Sequence, residues 1–446
     1  MSKPETTNIQ TGRLEKSEID NNFSDLHPPL TRSEALIEAD RCYFCYDAPC
    51  TIACPTDIDI PSFIQKIRSD NIKGSAHTIL KENIMGGMCA RVCPTEILCE
   101  EACVRNTHEE NPVNIGLLQR YATDPVFEDG TELFEREASS GKKVAVVGGG
   151  PAGLSCAHRL SMLGHDVVVY NRDDKPGGLN EYGIAAYKAV DDFAQREVDY
   201  ILSIGGIEVK NGVALGTDVS LSQLREEYDA VFIGLGLGAV NELGLQNEDL
   251  SGIESAIDYI SELRQSDDLS ALPVGANVVV IGGGMTAIDI AVQSKRLGAE
   301  QVVLAYRRGP EQMGASEFEQ KLAQTSGVTM HHWVVPKSIS KSDAALLVEL
   351  DKTELDAGGR LQSAGETVTI TADVVFKAIG QKMAEHDLQD IQMQHGRIVV
   401  DDSQATTLEN VWAGGDCVVG GEDLTVSAVQ HGKIAAIAID RSLRNG

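Results

Sequence analysis

The fold of this chain is decided by one stretch, Val144–Leu160, which reads VAVVGGGPAGLSCAHRL. An apolar run, a glycine-rich turn and an amphipathic segment follow one another, which predicts a buried strand that turns sharply into a helix. Gly148, Gly150 and Gly153 have the G-x-G-x-x-G spacing, in which a tight turn, a close backbone approach and helix-on-strand packing each need a glycine. Free N–H groups at the start of such a helix bind phosphate. The stretch therefore predicts a dinucleotide-binding unit, although one glycine turn alone is a weak signal.

A second copy of the pattern lies at 277–309, NVVVIGGGMTAIDIAVQSKRLGAEQVVLAYRRG. Here Gly282, Gly284 and Ala287 form G-x-G-x-x-A between two strand-like runs. Short apolar runs alternate with amphipathic segments around both copies, which is typical of a parallel sheet covered by helices. Two nucleotide folds in one chain favour an enzyme that binds a flavin and a nicotinamide. Two structural α/β units with incidental glycines are the less favoured alternative.

Eight of the ten cysteines lie between residues 42 and 103. They form two groups, Cys42-x2-Cys45-x4-Cys50-x3-Cys54-Pro55 and Cys89-x3-Cys93-Pro94 followed by Cys99-x3-Cys103. A large acidic chain without an export signal is a poor host for disulfides, and thiolates at these spacings suit iron–sulfur clusters or zinc. Because only the first two cysteines have the spacing of a zinc knuckle, two clusters are favoured over zinc.

The composition excludes several partners. The 446 residues include 38 basic and 67 acidic side chains, a net charge of −29, whereas nucleic acids and anionic membranes require a basic face. No apolar run approaches the roughly 20 residues that span a bilayer. The first 30 residues are polar and acidic, so we expect a mobile tail that is no signal peptide, and a cytoplasmic protein.

Local signals outline the organisation of the chain. Capping-box spacing at Thr31 and Glu34 predicts a helix that leads to the first cysteines, and Pro61 suits the first turn of another. Further helices are expected at 73–82 and 94–105. The predicted fold class is α/β, an N-terminal all-helical iron–sulfur domain followed by two interleaved Rossmann-like domains. The predicted limits are 1–127 for the helical domain, 140–250 and 371–446 for the FAD-binding domain, and 251–370 for the NAD(P)H-binding domain.

The order of cysteines, two glycine turns and a late AGGD motif resembles a known family. It is the family of the glutamate synthase small subunit, the N-terminal half of dihydropyrimidine dehydrogenase, and the bacterial NAD-dependent dihydropyrimidine dehydrogenase subunit that carries FAD and iron–sulfur clusters. The most specific stretches are CYFCYDAPCTIACPTDIDIPSFI, KGSAHTILKEN, CARVCPTEILCEEAC and NIGLLQRYATD.

The resemblance implies two 4Fe-4S clusters. Matching motif positions assign one cluster to Cys42, Cys45, Cys50 and Cys103, and the other to Cys54, Cys93, Cys99 and Gln119. Counting cysteines alone would give the eighth position to Cys89 instead of Gln119, and the two assignments stay open at this point. A neutral amide ligand in place of a thiolate makes the net charge of the cluster site less negative by one, which raises the reduction potential of the cluster.

The resemblance also implies a FAD site. The expected residues are Gly148, Gly150, Pro151, Ala152 and Gly153 at the pyrophosphate, Asn171 at the ribose, Val213 on the adenine side, Leu179 and Lys188 in the flavin-lining loop, Gly415 and Asp416 at the ribityl chain, and Thr425 and Val426 at the pyrimidine edge. Asn171 departs from the pattern, because the family places an acidic residue there. An amide hydrogen-bonds a hydroxyl less strongly than a carboxylate does.

A nicotinamide site is implied around the second turn. Its expected residues are Gly282, Gly283, Gly284, Thr286 and Ala287 at the turn, Arg307 and Arg308 at the ribose 2′ substituent, and Ala378, Ile379 and Gly380 near the nicotinamide. The two arginines favour NADPH, while the family likeness favours NADH, so NADH and NADPH both stay open. No catalytic acid or base is expected, because hydride transfer depends on proximity and orientation.

The expected function is that of an electron-transfer subunit that takes electrons from NAD(P)H at FAD and passes them through the clusters. Since no further domain is left for a substrate, we expect a hetero-oligomer with an FMN-containing catalytic subunit that reduces uracil and thymine. The alternatives are a glutamate synthase small subunit, a generic NAD(P)H–ferredoxin-type oxidoreductase, and a zinc-held docking module. A disulfide reductase is excluded because Cys156 and Cys417 are single.

Overall fold

The computed structural model describes residues 8–342, 345–384, 388 and 390–445. Their contacts divide the chain into two compact units. The first unit contains the described residues up to Asp25 together with Tyr182–Tyr187 and Ala239–Lys382. The second unit contains Leu26–Glu181, Lys188–Gly238 and the described residues from Met383 onwards. Each unit therefore combines segments that are distant in the sequence.

The helices are numbered along the described chain. They are α1 Lys16–Asn22, α2 Arg32–Asp40, α3 Pro49–Ile52, α4 Ile60–Arg68, α5 Ile72–Glu82, α6 Gly86–Val92, α7 Val104–Glu109, α8 Ile115–Asp129, α9 Pro151–Met162, α10 Leu179–Tyr182, α11 Phe193–Ser203, α12 Leu221–Glu227, α13 Ala256–Arg264, α14 Met285–Arg296, α15 Glu317–Thr325 and α16 Thr425–Asn445. Single turns of 3-10 helix lie at Thr95–Ile97, Ala186–Lys188, Leu269–Ala271 and Pro310–Gln312.

The strands are numbered in the same way. They are β1 Ile9–Gln10, β2 Lys143–Val147, β3 Asp166–Asn171, β4 Ile207–Asn211, β5 Ala230–Ile233, β6 Ala239–Val240, β7 Ile253–Ser255, β8 Val274–Gly275, β9 Asn277–Gly282, β10 Gln301–Tyr306, β11 Thr329–His332, β12 Val334–Ser342, β13 Ala345–Leu355, β14 Leu361–Ala372, β15 Val374–Ala378, β16 Gln381–Lys382, β17 Met393–Gln394, β18 Arg397–Ile398 and β19 Val411–Ala413.

The cysteine-bearing part of the second unit is helical, as predicted. The side chain of Thr31 caps α2 and that of Glu34 completes the capping box, so α2 begins where the sequence predicts. Helix α4 begins after the capping side chain of Asp59 with Pro61 in its first turn. The apolar faces of α4, α5 and α8 form one buried core, which includes Phe63, Ile64, Ile67, Ile79, Leu118 and Ala122. This core also buries Cys54, Cys99 and Cys103, so the helices position the cysteines.

Two expectations about local structure are wrong. The helix predicted over 94–105 is reduced to the turn Thr95–Ile97, because Leu98 leaves the helical region at φ −121° and ψ −113° and Cys103 is extended before α7 begins. The expected mobile tail is instead built into the first unit over its described part, residues 8–25. Strand β1 pairs with β8, and the guanidinium of Arg13 donates to the Val274 carbonyl oxygen at 3.2 Å. Residues 1–7 of that tail lie outside the described residues.

Each unit contains a five-stranded parallel sheet. The order is β19-β5-β2-β3-β4 in the second unit and β11-β10-β9-β15-β7 in the first. In both sheets the strand that leads into a glycine turn, β2 or β9, lies in the middle with neighbours on both sides. The carboxyl ends of the neighbouring strands therefore meet at the turn, which is where ligands bind in open parallel sheets. The predicted α/β class with an N-terminal helical domain is confirmed.

The first unit also contains a three-stranded antiparallel sheet, in the order β12-β13-β14, and two two-stranded sheets, β1-β8 and β16-β6. Residues 356–360 join β13 to β14. None of the helices in the described part of the chain combines the length and the apolar character needed to cross a bilayer.

Candidate functional site

The first glycine turn has the shape that a pyrophosphate needs. Gly148 has a φ of +108°, and a Cβ there would overlap the carbonyl group of Gly234. Likewise, a Cβ on Gly153 would overlap the Gly148 carbonyl oxygen, so α9 and β2 approach as closely as the sequence predicts. Gly150 precedes α9 without a side-chain cap, and for a Cβ on Gly150 the nearest contact is the Cα of Gly178 at 3.7 Å. The first N–H groups of α9 thus lie beside a space that a phosphate can fill.

Asn171 lies beside this turn, at the end of β3. Its Nδ2 atom donates to the Asp173 carbonyl oxygen at 2.8 Å and to the Asn211 side chain at 2.9 Å, which fixes the orientation of the amide. Its Oδ1 atom is 2.7 Å from the position of a Cβ on Gly149, so the free acceptor lies against the turn. The N–H of Val213 donates to the Asn171 carbonyl oxygen at 2.9 Å. The structure therefore brings Asn171 and Val213 together, with an uncharged acceptor where the family has an acid.

The AGGD motif, residues 413–416, lies beside the same glycine turn. Gly415 has a φ of +91°, and a Cβ on it would be 3.3 Å from the Cβ of Ala152. The carboxylate of Asp416 lies beside Gly236, which follows β5. Burial raises the pKa of Asp416 to about 6, helped by the charge of Asp423. The turn, Asn171 and Asp416 form one polar cradle, and this donor set fits FAD.

The loop before α10 links this cradle to the cysteine domain. The N–H of Gly177 donates to the Gly149 carbonyl oxygen at 2.7 Å. The side chain of Asn180 accepts from the hydroxyl of Thr425, at the start of α16, at 2.7 Å and donates to the sulfur of Met85 at 3.6 Å. Met85 precedes α6, the helix that carries Cys89. Sequence reasoning missed Asn180 and Met85, since nothing local indicates that these segments meet.

Three further residues that the sequence assigns to the flavin lie near this loop. Leu179 opens α10, Lys188 ends a 3-10 turn and is buried, and Val426 is buried in the first turn of α16. That they line the flavin stays a prediction.

Four of the predicted ligands surround one cavity. It is lined by Cys42, Cys45, Cys50 and Cys103, and its other walls are mostly apolar. The N–H of Phe44 donates to the sulfur of Cys42 at 3.4 Å, a bond that stabilises a thiolate. Burial raises the pKa of the Cys50 thiol to about 12, and a bound cation would favour its thiolate form. The donor set therefore fits the first predicted cluster.

A second set of cysteines lies close by. Hydrogen bonding to Cys89, followed by burial and the charges of Cys99 and Cys54, raises the pKa of the Cys93 thiol. The thiols of Cys54, Cys89 and Cys99 therefore lie close enough to the Cys93 thiol to change its pKa. The side chain of Gln119 donates to the Gly86 carbonyl oxygen at 2.7 Å, at the start of α6. The structure places both candidates for the fourth ligand on or beside α6, and the choice of Gln119 stays a prediction.

Across the described residues, no three His, Cys, Asp or Glu side chains lie close enough to hold one metal ion. All ten cysteines are free of disulfides. The two sets of cysteines would suit iron–sulfur clusters, because Cys thiolates are the ligands that hold such clusters.

A buried lysine adjoins the second set. Lys433, on α16, is 9% exposed, and its Nζ atom donates to the Thr56 carbonyl oxygen at 3.0 Å and to Glu82 at 3.1 Å. The hydroxyl of Thr56 is 3.3 Å from the sulfur of Cys54. Lys433 follows Thr425 by eight residues, about 12 Å along the helix. The positive charge therefore lies beside a predicted ligand, at a position that sequence reasoning missed.

The variant Lys433→Gln is expected to lower the reduction potential of one cluster by some tens of millivolts. It removes a cation near Cys54 and the closer of two lysines that pair with Glu82, the other being Lys81 at 3.7 Å, and both changes disfavour an added electron. The matched control Lys433→Arg keeps the charge and should keep the potential. A redox titration followed by electron paramagnetic resonance (EPR) measures both clusters at once. Equal shifts of both signals, or the same shift in the arginine variant, would refute a local charge effect.

The second glycine turn repeats the first within the first unit. Gly282 has a φ of +151°, and a Cβ on it would overlap the Ala378 carbonyl oxygen. A Cβ on Gly284 would contact nothing within 4 Å, and α14 begins after it without a side-chain cap. Gly283 accepts from the N–H of Ala315 at 3.0 Å. The turn is closed on the protein side and open where a pyrophosphate would lie, so it fits a second dinucleotide.

The ends of the strands in this sheet position the other predicted residues of the site. Thr286 and Ala287 are in the first turn of α14, and Ala378 pairs with Gly282 at the end of β15. Gly380 has a φ of +88°, and its carbonyl oxygen accepts from the N–H of Asn241 at 3.2 Å. Ile379 and Gly380 thus continue directly from the turn, and their contact with a nicotinamide stays a prediction.

Two unpaired cations follow β10. Within the described chain, the guanidinium groups of Arg307 and Arg308 form no ion pair or hydrogen bond. The parallel register places His331 opposite Ala305 and His332 opposite Tyr306. The Nε2 atom of His332 is buried and has no hydrogen-bond partner among the described residues. Sequence reasoning missed these histidines, which add donors beside the arginines and favour a 2′-phosphate.

The double variant Arg307→Leu/Arg308→Leu is expected to raise the KM for NADPH by about 10- to 100-fold, since charged hydrogen bonds contribute roughly 1.5–3 kcal/mol. The KM for NADH should change less than about twofold, because NADH has no phosphate at this position. Arg360→Leu, in the exposed turn after β13, is the matched control. Steady-state kinetics with both nucleotides check this, and a parallel loss for NADH and NADPH would contradict it.

The fold and these sites define a class of protein, an iron–sulfur oxidoreductase built on two dinucleotide folds. Residues 19–131 match the family described as dihydropyrimidine dehydrogenase domain II, 4Fe-4S cluster, and residues 142–432 match the pyridine nucleotide-disulphide oxidoreductase family. The chain is 34% identical over 423 residues to the NAD-dependent dihydropyrimidine dehydrogenase subunit PreT of Salmonella typhimurium, covering 95% of this chain and 98% of the relative. It is 35% identical over 444 residues to the glutamate synthase [NADPH] small chain of Escherichia coli, covering 94% and 93%.

The chain therefore belongs to the family of iron–sulfur flavoproteins that includes these two subunits, and the predicted resemblance is confirmed. It is an NAD(P)-dependent oxidoreductase of the electron-transfer type. Solved structures agree on the fold. FprA of Mycobacterium tuberculosis in complex with NADPH has a TM-score of 0.57 at 19% identity over 68% of this chain and 85% of FprA. The thioredoxin reductase of T. acidophilum has a TM-score of 0.53 at 18% identity over 68% of this chain and 99% of its own.

Proposed function

We propose that the chain takes two electrons from NAD(P)H at FAD and delivers them one at a time, through two 4Fe-4S clusters, to a partner subunit that contains FMN and reduces uracil and thymine. When bound, flavin supplies the exchange between two-electron and one-electron chemistry. We also propose a cytoplasmic location and the domain limits predicted from the sequence.

One observation carries the proposal, the link between Asn180, Thr425 and Met85. Asn180 and Thr425 belong to the segments that we assign to the flavin, and Met85 precedes the helix that we assign to the second cluster. A flavin that only served a bound small substrate would not require this connection. The contact supports an order in which electrons leave the flavin toward α6 and the sulfurs of Cys54, Cys93 and Cys99.

The chain's own residues have distinct tasks in this scheme. The N–H groups that open α9 and α14 bind the two pyrophosphates. The helix N-terminus at Thr425 places a partial positive charge at the flavin and so stabilises added negative charge there. The apolar walls around Cys42, Cys45 and Cys50 exclude water from that cluster site. No side chain needs to transfer a proton for hydride to move between two bound rings.

The relatives support the choice of partner and substrate. One relative is named as a dihydropyrimidine dehydrogenase subunit and another as a glutamate synthase small chain, at nearly equal identity. We favour the pyrimidine assignment because the coverage of that relative is more nearly complete, at 98%. Glutamate synthesis is the second candidate function.

Reconstitution tests this choice. The chain is co-expressed with an FMN-containing pyrimidine-reducing subunit and, separately, with a glutamate synthase large subunit. Oxidation of NAD(P)H is then measured with uracil or thymine and with 2-oxoglutarate plus glutamine. We expect turnover with the pyrimidines only. Glutamate formation with no pyrimidine turnover would show that the chain serves glutamate synthesis. No turnover with either partner would refute both candidate functions.

A further inference from the structure

Large apolar side chains are exposed mainly in one part of the second unit. Nine large apolar residues are exposed among the described residues, and five of these lie between residues 37 and 97. The helical segment 26–129 that contains them makes up 104 of the 446 residues. Exposed apolar side chains concentrated in one segment in this way indicate an interaction site in soluble proteins.

The exposed side chains follow the metal-binding loops. Tyr43 and Tyr46 adjoin Cys42 and Cys45, while Ile52 lies between the third and fourth cysteines and Ile97 lies two residues before Cys99. Tyr46 is fully exposed and Ile52 is 76% exposed. We call Tyr43, Tyr46, Ile52 and Ile97 the cysteine-loop patch. Since neighbouring Cα atoms are about 3.8 Å apart, each member lies within roughly 8 Å of a predicted ligand along the chain.

The backbone explains why these side chains face solvent. Phe44 and Ala48 have φ values of +52° and +35°, an uncommon conformation for residues with a side chain. These positions turn the chain between the sulfurs that line the cavity. The sulfurs are directed inward, and Tyr46 and Ile52 are left on the outside instead of joining the core.

Charge around the patch is predominantly acidic. Residues 26–129 contain 16 Asp and Glu against 9 Lys and Arg, a net charge of −7. Asp47, Asp57 and Glu101 are exposed and each lies within a few residues of the patch. The nearby Arg105 is paired with Glu109. An apolar centre with an acidic rim is complementary to a surface with an apolar centre and a rim of Lys and Arg.

We propose that the cysteine-loop patch is the docking surface for an electron-accepting protein whose contact face is apolar at its centre and basic at its rim. This rests on the proposed function, because electrons would leave the chain from the cluster assigned to Cys42, Cys45, Cys50 and Cys103, whose ligands adjoin Tyr43 and Tyr46. Each docked one-electron acceptor takes one electron, so NAD(P)H is oxidised to NAD(P)+ with release of one proton for every two acceptors reduced. A second copy of this chain fits the patch poorly, since both copies carry the same −29 charge.

Cytochrome c, a basic one-electron acceptor with lysines around its exposed haem edge, is the probe. The holoprotein and the variant Tyr46→Ser/Ile52→Ser are compared for NAD(P)H-dependent reduction of cytochrome c over a range of concentrations and salt. Neither residue is assigned to a cofactor. The control is Leu355→Ser, an exposed apolar residue of β13 in the first unit. Flavin reduction by NAD(P)H and the cluster EPR spectrum are recorded for every protein.

We expect the double variant to raise the KM for cytochrome c by at least about fivefold, since an exposed tyrosine at an interface centre contributes strongly. Flavin reduction and cluster spectra should not change, and added salt should weaken wild-type turnover. An unchanged KM in the double variant would overturn the docking surface. So would a wild-type dimer that the variant disrupts without a change in KM, because a second copy would then occupy the patch. If NAD(P)H fails to reduce the flavin of the wild-type protein, the proposed function fails instead, and the two failures are distinguishable.

Discussion

Replacing Cys45 by serine is expected to lower the iron content of the chain from about eight atoms to about four and to reduce electron delivery to an acceptor protein by at least about 100-fold. Cys45 lines the cavity with Cys42, Cys50 and Cys103, and a serine hydroxyl is a harder, poorer ligand for iron–sulfur clusters than a thiolate is. Reduction of the flavin by NAD(P)H should stay close to normal, since Cys45 is in the helical domain and no flavin residue contacts it in the assignment above.

The measurement combines iron and acid-labile sulfide analysis, EPR and steady-state reduction of cytochrome c. Cys156→Ala is the matched control, because Cys156 is buried in α9, away from both sets of predicted ligands, and should keep the full iron content. Full iron in the Cys45 variant would show that this residue is no ligand. Zinc in place of iron in the wild-type chain would overturn both cluster assignments.

The substitution Gly153→Val is expected to yield a chain that retains less than about a tenth of its FAD. A Cβ at this position overlaps the Gly148 carbonyl oxygen and lies 3.2 Å from the Cγ1 of Val146, so α9 cannot approach β2. Overpacking of this kind costs about 1–3 kcal/mol, and the displaced helix also moves its first N–H groups away from the pyrophosphate. The flavin content of the purified protein and its thermal unfolding midpoint are measured together.

A milder variant separates misfolding from loss of the site. For Gly150→Ala, the added methyl would meet only the Cα of Gly178, at 3.7 Å, so the fold should persist while the methyl occupies phosphate space. We expect this protein to unfold at nearly the wild-type temperature and yet to lose FAD. Gly284→Ala makes the same change at the second turn and should keep FAD but weaken nicotinamide binding. Loss of FAD from the Gly284 variant alone would mean that the two turns have been assigned in the wrong order.

The features that the sequence predicts well are those that depend on neighbouring residues. Gly153 must be a glycine because a Cβ there would collide with the Gly148 carbonyl oxygen five residues earlier, and that constraint is visible in the spacing. The capping box at Thr31 and the proline that opens α4 are local in the same sense. The cysteine groups are predictable because metal ligands on one loop have a limited range of separations.

The residues that sequence reasoning missed depend on contacts between distant segments. Lys433 reaches Thr56 across 377 positions, and Asn180 reaches Thr425 across 245. His332 lies next to the end of β10 only because of the parallel register with β11. The described part of the N-terminal tail joins the first unit partly through β1, a two-residue strand that is too short to produce a periodic pattern. The helix expected over 94–105 fails because the backbone instead arranges Cys99 and Cys103 around the sulfur sites.

The central claim is that the flavin is a relay to the clusters. Rapid mixing of the anaerobic holoprotein with one equivalent of NAD(P)H, followed by freezing at successive times for EPR and by optical recording of the flavin, tests it most directly. We predict that the flavin is reduced first and that reduced-cluster signals then grow while the flavin is reoxidised, within the same turnover. Flavin that stays fully reduced while both clusters remain oxidised would contradict the account.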